Sequence, residues 1–343
     1  MMNTKTDFAK LLSKFFSEYL PHQRNVSQNT IIAYKDTFVQ MITFIRDEKK
    51  IAVEKITLDT LNRQLVDDFL LWIQNKRSCS YSTRNYRLAA IHSFINYLKY
   101  EDVTKLNKWL DIMSIKAVKT EKKSMSYLTV DGMKLLLEQP DITNNRGRRN
   151  LVMLTLMYDI GARVQEIIDL TPSALRIGSK PYTIRIIGKG RKSRIVPLME
   201  EQIELLKQYL EENRLQKEEM LSHPLFFNNR GEKLTRAGIT YILKSYVRMA
   251  KNTSHELIPD NVSCHSLRHS RAMHLLQAGV GLIYIRDILG HVSIQTTEVY
   301  ARADSKQKRE ALEKAYVKLT PNLDTKNLWE SNKDLLNWLK GFS

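Results

Sequence analysis

Over most of this chain the apolar residues recur every three or four positions, and the period changes in one place. In "YTIRIIGKGRKSRIVPL", residues 182–198, isoleucine, valine and tyrosine gather in two short runs on either side of "GKGRKS". β-Branched and aromatic residues suit extended backbone, and Gly188 and Gly190 suit the turn between the runs. The segment reads as a β-hairpin. One hairpin in a helical background cannot supply a sheet-based core. The fold class is therefore mainly α, with a small β-hairpin or sheet in the second part of the chain.

The helical background has its own punctuation. Phe8, Leu11, Leu12, Phe15, Phe16 and Tyr19 lie on one helical face. "SQNTIIAYKDTFVQMITFIRD" starts at a cap residue, Ser27, and carries Ile31, Tyr34, Phe38, Ile42 and Ile45 down one side. "LVDDFLLWIQNK" follows a turn region at Thr57–Asn62. "STRNYRLAAIHSFINYLKY" is expected to bury Tyr86, Ala90, Phe94 and Leu98 and to present Arg84 and Arg87 on its other side. These four helices make a compact first domain over residues 1–112. Residues 113–127 are polar and Lys-rich, and read as a basic linker. A second domain spans residues 128–320. In it, a helical run is interrupted at Gly161, the hairpin follows, and helical spacing then returns. Residues 321–343 form a C-terminal extension whose Leu328, Leu335, Leu336 and Leu339 make an amphipathic stripe.

Charge narrows the function. Lys plus Arg number 54 against 37 acidic residues, for a formal net charge of +17. Such an excess points to a polyanionic partner, above all nucleic acid. The two cysteines, Cys79 and Cys264, are too few for a disulfide framework or a Cys-based zinc site, which fits a reducing interior. No signal peptide and no run of apolar residues long enough to span a membrane is visible, so a cytoplasmic location is expected.

The densest chemistry lies in "CHSLRHSRAMHLL", residues 264–276. On a helix His265 and Arg268 share a face. A guanidinium matches phosphate oxygens, and an imidazole moves protons near neutrality. His269 reads first as a histidine satisfied within the core. The His265–His269 spacing also permits a metal pair, but no third ligand follows. Further cations stand elsewhere. Arg163, after Gly161, is expected near a helix N-terminus, where free N–H groups favour an anion. Lys189 sits at the hairpin tip, either as a solvated turn lysine or as one that swings into a site. His291 and Tyr300 are nine residues apart and would face opposite ways on one straight helix. Sharing a site requires His291 to lie outside the helix or Tyr300 to hang from its end.

In the order Arg, Lys, His-x-x-Arg, His, Tyr, this set resembles the tyrosine recombinase (phage integrase) family, with a two-domain Xer-like layout. The matching phrases are "YDIGARVQEIIDL", "GKGRKSRIVPL", "HSLRHSRAMHLLQAG" and "LGHVSIQTTEVYAR", with "SQNTIIAY" and "STRNYRLAAIHSFINYL" resembling the family's helical, SAM-like core-binding domain. The resemblance implies a site-specific recombinase that cuts and rejoins DNA through a 3′-phosphotyrosyl intermediate and a Holliday junction. It implies Tyr300 as nucleophile, Arg163 and Arg268 on the scissile phosphate, and Lys189 as acid for the leaving 5′-oxygen. His265 would handle the tyrosine proton, and His291 would bond the phosphate. The cations are expected to favour the phenolate of a residue whose ordinary pKa is about 10. No ATP, metal or other cofactor is expected.

The implied partners are double-stranded recombination sites, with Arg84, Arg87, Arg191, Arg194 and Arg236 as candidate DNA contacts. The implied assembly is a homotetramer on two sites, associated with the nucleoid during the reaction. "SKQKREALEKAYVKL" would dock as a helix into the neighbouring subunit, and residues 321–343 would add a further contact in cis or trans. A second recombinase or a directionality factor is compatible with the family. Only 26 residues precede "SQNTIIAY", so no arm-binding domain is expected. Two other classes stand beside this one: a catalytically idle DNA-binding protein on the same scaffold, and a metal-dependent nuclease built on His265 and His269.

Overall fold

The computed structural model describes residues 6–120, 125–188, 192–303 and 340–341. The chain divides into two compact units, Met1–Ser124 and Met125–Ser343.

The first unit is helical: α1 (Asp7–Lys14), which continues as a π-helical segment over Phe15–Gln23, α2 (Gln28–Glu48), α3 (Arg63–Asn75), α4 (Tyr81–Glu101) and α5 (Leu106–Met113). Side-chain oxygens start the long helices. Ser27 accepts from the Thr30 N–H, Asn62 from Leu65 and Ser80 from Thr83. Phe15, Phe38 and Phe94 meet at the centre, with the Phe15 and Phe94 rings 5.1 Å apart. The sequence reading missed α5, which is short but buries Trp109 completely and bonds its indole N–H to the Asp102 carbonyl at 3.0 Å. The α4 stripe also needs correction. Tyr86 is exposed, and Leu88, Ile91, Ile95 and Leu98 join Phe94 inside. The reason is that α4 packs against α2, α3 and α5 and buries a wide arc.

The second unit opens with α6 (Val130–Leu137), α7 (Asn145–Asp159) and α8 (Val164–Ile168). A three-stranded antiparallel sheet follows in the order β1 (Leu175–Arg176), β2 (Thr183–Ile187), β3 (Ser193–Pro197). The expected hairpin is β2–β3, with Ile187 opposite Ser193. Ile184, Ile186 and Val196 face the core. β1 is two residues long, too short for alternation to mark it in the sequence. Then come α9 (Glu200–Glu212), α10 (Arg236–Thr253), α11 (Cys264–Gln277), α12 (Leu282–Leu289) and α13 (Gln295–Ala303). Leu154, Met157, Leu206, Leu243 and Leu267 are sealed in the main core, and Met273, Ile285 and Leu289 form a smaller apolar group around Tyr300. Among the described residues no helix is long and apolar enough to cross a membrane. The two C-terminal helices expected from the sequence fall almost wholly outside the described residues.

Candidate active site

The site is assembled from chain breaks at two glycines. After α7 the backbone turns at Gly161 with φ +56°, where a Cβ would lie 2.5 Å from Leu289 Cδ2. α12 ends at Gly290 in the left-handed conformation with φ +64°, where a Cβ would lie 2.9 Å from Arg194 Nη1. The last carbonyls of α12 have no partners within the helix and carry the negative end of its dipole. Three arginines take them in succession. Arg194 Nε donates to Ile288 O at 2.8 Å, Arg268 Nη2 to Leu289 O at 2.7 Å, and Arg163 Nη2 to Gly290 O at 3.4 Å. Arg268 Nη1 also donates to Gly161 O at 2.6 Å.

Glu166, buried at 6% exposure, holds this group together. Its carboxylate accepts the Arg163 backbone N–H at 2.9 Å and Arg163 Nη1 at 2.8 Å. It also takes both terminal nitrogens of Arg194, at 3.0 and 2.8 Å. Burial works against ionisation of Glu166, but the Arg194 and Arg163 donors outweigh it and hold the carboxyl below its usual range. Burial, with the Arg163 charge beside it, pushes Arg268 down to about 10, which leaves it cationic at neutral pH. Arg163 and Arg268 therefore converge, as expected, but by a different device from the one read in the sequence. Arg163 is the N-cap of the five-residue α8, and its N–H is engaged by Glu166 rather than left free for an anion.

Across this group lies the tyrosine. Tyr300, on α13, is buried at 2% exposure. Its Oη is 3.0 Å from Nδ1 of His269. His291 stands outside the helix, directly after Gly290, which resolves how it shares a site with Tyr300. Its ring lies parallel to the tyrosine ring at 6.3 Å, and its Nδ1 is 2.9 Å from the Thr297 hydroxyl. His265 is exposed at the start of α11, with its ring 6.3 Å from that of His269. All three histidines are held below their ordinary range: His269 and His291 by burial and then by neighbouring positive charge, His291 reaching about 4, and His265, exposed on one side but desolvated on the other, by that desolvation and then by Arg268 and Arg163. The Tyr300 hydroxyl corrects an expectation. Arg268 and Arg163 do pull its pKa down, but burial outweighs them and the net shift is upward, so the phenol is protonated.

The other sequence candidates divide. Lys189 and Arg191 lie outside the described residues. Arg194 spends its donors on Glu166 and Ile288, so it braces the site instead of facing outward. Arg87 is half-buried and bonds Asp36 and Thr37 within its own unit. Arg84 is half-buried beside Asn85, while Arg236 is exposed at the start of α10, its Nε 3.0 Å from Gln165 Oε1. Sequence reasoning missed Glu166, and it read His269 as satisfied within the core without naming Tyr300 as its partner. Glu166 stands three residues after Arg163, the spacing of a carboxylate that reaches back to a helix start. Among the described residues no group of three or more His, Cys, Asp or Glu side chains comes together to hold a metal, and His269 Nδ1 faces Tyr300.

Comparison with known proteins agrees with this geometry. Residues 126–307 match the phage integrase family, and residues 14–102 match the phage integrase N-terminal SAM-like domain. The chain is 34% identical to the tyrosine recombinase XerD of Staphylococcus epidermidis over 86% of its length and 94% of that protein. It is 30% identical to the tyrosine recombinase XerC of Thermodesulfovibrio yellowstonii over 88% of its length and 94% of that protein. Its fold is similar to that of the XerH site-specific recombinase in a post-cleavage complex with difH DNA. There the TM-score is 0.68 at 22% identity, covering 91% of each chain. The chain belongs to the phage integrase family and is a site-specific tyrosine recombinase.

Proposed function

We propose that this recombinase cuts and rejoins DNA strands through Tyr300, at a site where Arg163 and Arg268 hold the scissile phosphate. The observation that carries the reading is the convergence of both guanidinium groups and two imidazoles on one phenol. Fixed cations of this kind stabilise the charge that develops on a phosphate under attack. In the reaction the Tyr300 oxygen bonds to phosphorus, the bond to the 5′-oxygen breaks, and Lys189 protonates the leaving oxygen. A 3′-phosphotyrosyl link and a free 5′-hydroxyl result. Attack by the hydroxyl of a partner strand reverses the step, and two rounds pass through a Holliday junction. The phosphotyrosyl bond stores the energy of the bond it replaces, so the cycle needs neither ATP nor a metal. Arg163, with a third of its side chain exposed, meets the phosphate first, and His265 and His291 act beside it.

At 2% exposure Tyr300 is sheltered, so DNA engagement uncovers its hydroxyl. Residues 1–112 form the core-binding domain, joined by the 113–127 linker to a catalytic domain over 128–320. Four subunits act on two duplex sites and exchange a C-terminal helix, with residues 321–343 as a further contact. Arg236 faces the DNA. Selection from random duplexes supplies a binding site, and a half-site with a nick next to the cleavage position traps the intermediate. A covalent protein–DNA band on a denaturing gel is expected from the wild type and none from Tyr300→Phe. An adduct that persists in Tyr300→Phe overturns the assignment.

A further inference from the structure

We propose that His269, rather than His265, is the base that takes the Tyr300 proton during strand cleavage. The inference rests on the reading of Tyr300 as nucleophile. His269 Nδ1 lies 3.0 Å from Tyr300 Oη, within hydrogen-bonding distance, and the two rings are 5.7 Å apart. His265 is exposed, a further 6.3 Å from His269 ring to ring. Arg268 also reaches the hydroxyl, but a guanidinium has no acceptor and cannot take a proton. His291 has its Nδ1 2.9 Å from the Thr297 hydroxyl, and its ring lies parallel to the tyrosine ring at 6.3 Å.

Protonation states and tautomer together set the direction of the bond. Tyr300 keeps its proton because burial outweighs the nearby charges. Burial, then His265 and Arg268, keep His269 neutral. With the one ring proton of neutral His269 on Nε2, the phenol O–H donates to a bare Nδ1. As the Tyr300 oxygen forms its bond to phosphorus, the proton passes to His269 Nδ1, while the leaving 5′-oxygen is protonated from Lys189. In religation His269 returns the proton to the departing phenolate. Helical geometry makes the pairing possible. Arg268 and His269 are consecutive on α11, so one helix turn delivers a charge to the phosphate side and a base to the phenol.

The test measures the rate of adduct formation on nicked half-site DNA with excess enzyme. His269→Ala is expected to lose about 10²–10⁴-fold, the usual worth of a general base. Added imidazole should restore about tenfold or more, with the rescued rate following the free-base fraction of imidazole as pH is varied. Rescue also proves that the variant folds. His269→Asn, which offers hydrogen-bonding atoms near Nδ1 but no basicity, should stay as slow as His269→Ala. Three results overturn the proposal: wild-type rate in either variant, rescue that ignores the ionisation of imidazole, or rescue in His265→Ala with none in His269→Ala. A wild type that forms adduct through Tyr300 while His269→Ala matches it sinks this inference alone. A wild type without a Tyr300-dependent adduct sinks the underlying reading as well.

Discussion

The two units solve the problem of a core in different ways. In Met1–Ser124 the interior is aromatic and aliphatic, and among the described residues Thr37 is its one buried polar side chain. In Met125–Ser343, Asn150, Glu166, Gln202, Ser266, Arg268, Ser270 and Thr297 are all buried. Several of these touch the site. An apolar core gains from every methylene it removes from water, at about 25 cal/mol per Å². A buried Arg268 or Glu166 must instead be paired at every donor and acceptor, since an uncompensated charge costs several kcal/mol. The first unit draws its stability from apolar burial. The second holds charges where a phosphate will need them, at a standing cost in desolvation.

The largest expected effect tests that contrast directly. Glu166→Gln keeps the shape of the side chain and removes its charge, leaving Arg163 and Arg194 unbalanced around a buried amide. Breaking a buried pair in this way costs about 3–5 kcal/mol. The thermal transition of the catalytic unit in calorimetry should fall accordingly, and adduct formation should fall with it, because Arg163 loses its anchor. A variant with unchanged stability would show that the carboxylate is not what holds the arginines.

The counterpart in the first unit should be mild. Ile95, fully buried in α4, loses one methylene in Ile95→Val, which costs about 1 kcal/mol. The cleavage rate at saturating DNA should stay the same, with the loss confined to the denaturation midpoint of the first unit. A fall in that rate would mean the two kinds of core are not as separate as their contents suggest.

What could be read from the sequence follows the same divide. Helix stripes, the Ser27 cap and the β2–β3 hairpin were legible because their signals are local, a period or a cap within a few residues. Tyr86 was misplaced because the width of a buried arc depends on how many helices surround α4. The arginine, histidine and tyrosine set was legible as a resemblance, but its internal wiring was not. That Arg194 turns inward to Glu166, or that the end of α12 and its cap Gly290 offer carbonyls to three arginines, depends on residues 21 to 127 positions apart meeting in space. His269 was visible at its spacing from His265, yet only α13 folding back onto α11 gives it Tyr300 as a partner.

The smallest expected effect is a pH dependence of stability, and its sign follows from the site. His291 is held at about 4 against an ordinary 6.5, by burial first and then by Arg268 and Arg163. Between those values the unfolded chain binds a proton there that the folded chain refuses. The contribution of His291 is therefore fully present above about 6.5 and is lost as pH falls towards 4. His265, His269 and His274 shift in the same direction and add to the slope. Asp159 opposes it. Burial raises its carboxyl from 3.8 to about 6, so the folded chain keeps a proton over that interval which the unfolded chain releases. Urea midpoints of the catalytic unit should rise from pH 4.5 to 6.5, more gently in His291→Gln and more steeply in Asp159→Asn. A slope untouched by His291→Gln would place the titrating groups outside the site. The polar interior would then owe its acid sensitivity to some other pair.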